Sequence, residues 1–149
     1  MTDVLDTPTN TDEATIRQLH DAFVAANRVG DSEFLKMHMV PGPDRLLWYN
    51  LNQSNYIGVD HIVELWDFLR AIVESTTGSA LINTWDDNVT VIGECAIVTY
   101  MLHMEADFGA MGLINQDARS TEVWQRLDGE WKMIHFHCSN YVPGIMGGK

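Results

Sequence analysis

The stretch STEVWQRLDGEWKMIHFHCS, residues 120–139, decides the fold. Two runs rich in β-formers flank Asp128-Gly129, the strongest short hairpin signal in the chain. The second run carries His135 and His137 in alternation, and the first carries a single acid, Glu122, between apolar neighbours. Two registers are open. A two-residue turn at Asp128-Gly129 sets Leu127 opposite Glu130 and Glu122 opposite His135, which builds a carboxylate–imidazole site. A three-residue turn with Gly129 in a left-handed bulge position sets Arg126 opposite Glu130 and Trp124 opposite Lys132. Glu122 then shares a face with Ile134, Phe136 and Cys138. A slip of one residue carries every side chain to the other face, so the register is a chemical question too. The two cross-strand pairs favour the bulged form.

Working backwards, residues 94–105 and 81–92 read as two more long strands, broken at Gly93. The alternation in residues 94–105 puts Val98, Tyr100 and Leu102 on one face and Ile97, Met101 and His103 on the other. Both faces are largely apolar, so the strand is expected to be covered on both sides. Residues 106–115, with Gly109 and Gly112 among apolar residues, read as a mobile lid-like loop. Residues 45–51 form a shorter strand with Trp48 and Tyr49 on opposite faces, followed by a polar loop.

The first half of the chain reads as three helices. Asn10 with Glu13 fits a capping box, after which Ile16, Leu19, Phe23 and Ala26 recur at helical spacing until Gly30. His20 and Asn27 lie on the edge of that stripe, either as polar groups at the rim of the core or projecting into a pocket. Ser32 caps a second helix and Asp60 a third, which carries Trp66 inward. The expected architecture is α+β: a curved, cone-like antiparallel sheet with three N-terminal helices packed on one face. The cavity between the layers is the usual place for a small-molecule site. The chain divides into a disordered tail over 1–10, one domain over 11–142 and a flexible tail over 143–149.

A net charge of −12 leaves few cations to meet phosphates, which argues against nucleic acid and anionic membrane surfaces. No apolar run is long enough to span a bilayer, and residues 1–12 lack a signal core, so a cytoplasmic address is expected. Cys95 and Cys138 lack metal or redox spacing and read as reduced, buried thiols.

The stretches NTWDDNVTVIGECAIVTY (residues 83–100) and EVWQRLDGEWKMIHFHCS (residues 122–139) resemble the nuclear-transport-factor-two-like superfamily, also called SnoaL-like. The likeness covers roughly residues 12–142, and locally it is nearest to the association domain of calcium/calmodulin-dependent protein kinase two. It implies a SnoaL-like α+β barrel. It does not by itself imply an activity, because the superfamily hosts isomerases, dehydratases, cyclases, hydrolases, lyases and assembly domains. At positions matching the kinase domain's pocket arginines this chain has Leu102, Glu122 and Cys138. That departure implies a neutral or aromatic guest in place of a carboxylate. The match also places Glu122 and Cys138 on one face.

A carboxylate walled by Val98, Tyr100, Leu102, Trp124 and Phe136 would be poorly solvated, the setting of a general base. The candidate catalytic residues are therefore Glu122 as base, Tyr100 as hydrogen-bond donor and His20 as a second acid or base, with His135 added if the two-residue register holds. Asn27, Trp48, Tyr49, Trp66, Leu102, Trp124, Phe136 and Cys138 are the expected substrate pocket. His135 and His137 with His103-x-Glu105 offer a metal set only across strands too far apart, so no metal and no other cofactor is expected. The expected function is a lyase, isomerase or dehydratase acting on a small apolar aromatic compound. The alternative is a non-catalytic ligand-binding or assembly domain. An apolar outer sheet face implies a homodimer or larger homo-oligomer.

Overall fold

The computed structural model describes residues 3–148, with side chains from residue 11 onward. Three helices, α1 (Asp3–Val29), α2 (Ser32–His38) and α3 (Val59–Thr76), precede most of a six-stranded sheet. The strands are β1 (Leu47–Tyr49), β2 (Asn55–Ile57), β3 (Leu81–Ile92), β4 (Cys95–Asp107), β5 (Leu113–Leu127) and β6 (Glu130–Asn140). Their order is β2-β1-β6-β5-β4-β3. The last four form the expected meander. The sheet is mixed, because β1 pairs parallel to β6, with Trp48 beside Phe136. Among the described residues no helix is long and apolar enough to cross a membrane.

Several boundaries differ from the sequence reading. The expected cap at Asn10 falls inside α1, which starts at Asp3. The cap of α2 is Asp31, whose side chain accepts from the Glu33 amide at 3.1 Å, while the Ser32 hydroxyl instead meets Asp67. The residue before α3 is Gly58, and Asp60 lies within its first turn. The polar loop after β1 includes the short strand β2, and the apolar loop after β4 shrinks to one 3-10 turn, Gly109–Met111.

The hairpin tip corrects the favoured register. Asp128 and Gly129 both have positive φ, 51° and 81°, the signature of a two-residue type I′ turn. Leu127 therefore faces Glu130, and Arg126 faces Trp131. Further along, the ladder steps from Trp124–Met133 to Val123–His135, so Ile134 is an extra residue in β6. That bulge slips the ladder by one residue in the sense opposite to a three-residue turn, which would have paired Glu122 with Ile134, yet it carries Glu122 to the same face. Beyond it Glu122 faces Phe136, and Ser120 faces Cys138. The face assigned to Glu122 holds, but its cause is a bulge halfway up the strand. Gly129→Ala should cost about 1–2 kcal/mol, the penalty for an L side chain in left-handed backbone. No atom lies within 4 Å of the added methyl to complicate the reading, so urea melts check it directly.

A second bulge lies in β3. Trp85 pairs with Met101 and Asn88 with Thr99, so Asp86 and Asp87 together stand against Tyr100 alone. Asp86 takes φ 55°, and the inward face of β3 changes phase there. Ile82 points inward before the bulge; Val89 and Val91 pack on the core after it. The turn in phase carries Asp87 inward, beneath α1.

Helix α1 is fixed on the sheet at two points. Arg126 reaches Asp12 at 2.7 Å in its first half, and Arg28 donates twice to the Ile82 carbonyl near its end, at 2.9 and 2.7 Å. Between them Ile16, Phe23, Val24 and Ala26 are buried, with His20 on the same stripe. The core continues through Leu35, Trp48, Ile62, Val98, Trp124, Met133 and Phe136.

Candidate active site

The centre of the fold holds an ionisable cluster with little access to water. Glu122 is fully buried and His20 is 3% exposed. His20 Nδ1 lies 2.6 Å from Glu122 Oε2, and its Nε2 lies 2.9 Å from Asp87 Oδ2. The other Glu122 oxygen, Oε1, accepts from Trp124 Nε1–H at 2.9 Å. Asp87 Oδ2 also accepts from the Thr84 hydroxyl at 2.9 Å. Asp87 Oδ1 is buried and accepts no hydrogen bond. Thus α1, β3 and β5 each supply one member of a carboxylate–imidazole–carboxylate row.

Burial is the largest single influence on His20 and works against its charge. The hydrogen bonds and charges of Glu122 and Asp87 together outweigh it and lift its pKa to about 9. At neutral pH the ring is an imidazolium, and both nitrogens donate. The Tyr100 ring packs against His20 at a tilt of 60°, with ring centroids 4.6 Å apart. Burial first, then the neighbouring Glu122 carboxylate, hold its phenol well above the usual range, so it stays a proton donor. Burial also pushes the Cys138 thiol up. Ser120 Oγ, between Tyr100 and Cys138 in the ladder, is buried with no hydrogen bond of its own.

Beside this cluster lies an apolar cavity of about 290 Å³. Trp48, Trp66, Leu102, Phe136, Cys138 and Asn27 contribute to its wall, together with Phe108 and Met111 from around the 3-10 turn. Among the described residues no charged side chain lines it. The aromatic wall is mutually braced: Trp48 meets Phe136 at 4.3 Å between centroids and Trp66 edge-on at 6.1 Å. Glu122, His20 and Tyr100 do not themselves line the cavity. They lie one step behind it, since Glu122 is the direct cross-strand neighbour of Phe136.

Not every expected site residue comes together. His135 lies on the other face of the sheet from Glu122; one ring nitrogen contacts the Leu47 carbonyl at 2.9 Å. The bulge at Ile134 sends it there and removes the His135–Glu122 pair. Tyr49 is 39% exposed and packs edge-on against His135 and His137, outside the cavity. Trp124 is buried and holds Glu122 rather than lining the cavity. His103 is bonded to Asp117 at 2.7 Å and Glu105 at 3.1 Å. Among the described residues no group of three or more His, Cys, Asp or Glu side chains is placed to hold a metal ion. Glu122 is not the lone acid expected: its partners are an imidazole and an indole. Arg126 is occupied by Glu94 and Asp12. Strict alternation along β3 does not point to Asp87, although a signal exists: the inward positions switch from even to odd between Thr84 and Val89.

Residues 16–143 match the SnoaL-like domain. Solved structures share the fold at low identity. An NTF2-like protein from Streptomyces avermitilis, named as a candidate dehydratase, is 21% identical over 89% of this chain and 98% of its own, with a TM-score of 0.75. A protein from Novosphingobium aromaticivorans, named as a candidate aromatic ring hydroxylase, is 16% identical over 89% and 91%, with a TM-score of 0.71. The association domain of C. elegans CaMKII is 15% identical over 89% and 98%, with a TM-score of 0.67.

Proposed function

The chain belongs to the SnoaL-like family, and from that footing we propose that it is a cofactor-independent lyase, isomerase or dehydratase for a small, neutral, largely apolar aromatic compound. The supporting observation is a fully buried carboxylate directly across the ladder from a wall residue of an uncharged, aromatic-lined cavity. In this reading the guest's apolar body lies among Trp48, Trp66, Leu102 and Phe136, and the Phe136 side of the wall parts on binding to bring its reacting end to Tyr100 and Glu122. Glu122 takes a proton from carbon or from a hydroxyl. The electron pair released breaks the neighbouring bond, by elimination or retro-aldol cleavage, and the leaving fragment recovers the proton. Tyr100, kept protonated, donates a hydrogen bond to the oxygen that gains charge. Asn27, Asn50 and Asn52 offer neutral hydrogen bonds around the cavity. A carboxylated guest meets no cation there and a strongly acidic protein outside. The names of the Streptomyces and Novosphingobium structures are in keeping with small-molecule chemistry on this fold.

The test is a panel of neutral aromatic alcohols, diols and ketones beside their carboxylate counterparts. Turnover is expected for neutral members only. Tyr100→Phe should lower kcat about 100-fold, the scale of one positioned proton donor, with KM little changed. Unchanged turnover in that variant would remove Tyr100 from the mechanism.

A second reading rests on the acid cluster lying behind the cavity wall. A non-catalytic binding or assembly domain, on the fold shared with the CaMKII association domain, would have that arrangement. Binding of panel members with no turnover of any would favour it. Either reading carries the proposal of a homodimer or larger assembly through the outer sheet face, where Ile97 is 38% and Trp85 41% exposed. Light scattering decides the assembly.

A further inference from the structure

We propose that Asn50 is the polar anchor of the cavity and selects guests that carry a hydrogen-bond acceptor, a ketone or ether oxygen, on the aromatic body. This deepens the reading above, in which a neutral aromatic guest fills the cavity, and rests on it. Trp48 Nε1 lies 3.0 Å from Asn50 Oδ1. An indole N–H can only donate, so the amide oxygen must face it; the turned amide would set N–H against N–H. The same indole belongs to the cavity wall, and Asn50 lines that cavity too. Oδ1 is therefore engaged, and among the described residues nothing accepts from the two Nδ2 hydrogens. The backbone is held as firmly. The Asn50 N–H donates to the Ser54 carbonyl, and its C=O accepts from the Gln53 N–H, both at 3.0 Å. The turn they close includes the left-handed backbone of Gln53, at φ 68°. The anchor is thus fixed before a guest arrives, which lowers the ordering cost of binding.

The other two amides around the cavity are placed differently. Asn52 is engaged at both ends inside its own loop, donating to Tyr56 Oη at 3.0 Å and accepting from the Ser54 N–H at 3.1 Å. Asn27 lines the cavity from α1, and among the described residues nothing pins its amide. A free amide can turn to meet a donor or an acceptor, so it discriminates poorly. Asn50 discriminates because its unmet capacity is lopsided: two N–H hydrogens against one spare lone pair on Oδ1. A bound guest displaces water from those hydrogens. A guest oxygen replaces that water, whereas a hydrocarbon edge leaves an N–H unmet, the costlier kind of orphan. A carboxylate would also accept from Nδ2, but one neutral amide does not offset the desolvation of a full charge. The chemistry therefore favours a neutral acceptor at the Asn50 end.

The test is binding to the full-length protein, followed by ¹⁵N NMR of the asparagine side-chain amides. The probes are acetophenone and α-methylstyrene, which share a shape and differ in carbonyl oxygen against methylene. Acetophenone should shift the Asn50 Nδ2 protons downfield, and α-methylstyrene should not. Asn50→Asp keeps an acceptor for Trp48 Nε1–H and replaces the two donors with an acceptor oxygen. The Kd ratio of alkene to ketone should fall about tenfold in that variant, the scale of one hydrogen bond in a desolvated site. 1-Phenylethanol, whose hydroxyl can donate to the new carboxylate, should keep its affinity within about twofold. An unchanged ratio in Asn50→Asp, or no downfield shift in wild type, overturns the anchor; binding of both probes would still leave the neutral-guest reading standing. A ratio that falls in Asn27→Leu but not in Asn50→Asp places the anchor on α1 and overturns the proposal. Binding of neither probe takes down the neutral-guest reading and the anchor together.

Discussion

Glu122→Gln should lower turnover by at least about 1,000-fold while leaving the fold intact, because it removes the proton acceptor and little else. The expectation of intact folding needs an argument, since breaking a buried charge pair usually costs several kcal/mol. Here the partners can adapt. The amide oxygen can stay on Trp124 Nε1–H, now 2.9 Å from Oε1. The amide nitrogen would then face His20 Nδ1. Loss of the Nδ1 proton turns that nitrogen into an acceptor, while Nε2–H continues to donate to Asp87. The variant therefore trades an ion pair for a neutral hydrogen-bonded row. The accompanying signature is a fall of the His20 pKa from about 9, since its largest upward influences come from Glu122. Glu122→Asp keeps a charge but withdraws it by one methylene, and should retain partial activity. Circular dichroism and urea melts establish that both variants are folded before rates are compared. Full turnover by the glutamine variant on a substrate that wild type consumes would end the role of Glu122 as base.

Glu122, His20 and Tyr100 were legible in the sequence because each obeys the period of its element. Glu122 is an acid at an inward position of an alternating strand, Tyr100 belongs to the inward series of β4, and His20 lies on the stripe of Ile16 and Phe23. The aromatic wall was legible for the same reason. The failures at the hairpin and on β3 come from departures from period. At the hairpin the turn residues alone leave two registers open. The chain combines a tight I′ turn with a bulge at Ile134, which shifts His135 and Glu122 to opposite faces. On β3 the doubled position Asp86-Asp87 breaks the alternation, and the residue it turns inward joins the cluster. Tyr49 has the chemistry of a pocket residue, yet it points away from Trp48, as the strand period requires. Bulges are set by twist and by the fit between layers as much as by local composition, so a strand read alone does not reveal them. That the two bulges place Glu122 and Asp87 on either side of one imidazole argues that they serve the site.

The second large effect is on stability and appears at alkaline pH. His20 titrates at about 9 in the folded protein, against 6.5 for an unperturbed imidazole. A raised folded value means that the native state holds the proton more tightly than the unfolded chain does. The contribution is therefore complete below about pH 6.5, shrinks as the unfolded chain releases its proton, and is gone once pH passes about 9. A separation of this size corresponds to roughly 3 kcal/mol. The ring is 3% exposed, so solvent screens the interaction weakly. Urea unfolding at pH 6 and pH 9.5 should show the loss in wild type. His20→Gln supplies the reference, since its amide can donate to Glu122 but cannot titrate, and its stability should vary much less over the same window. Subtracting the two curves removes the tyrosines, lysines and cysteines that titrate near the alkaline limit. The sign separates this account from its opposite. A histidine held neutral by burial would make the protein more stable as pH rises through 6.5. If wild type gains stability over that range relative to His20→Gln, the imidazolium between two carboxylates is wrong.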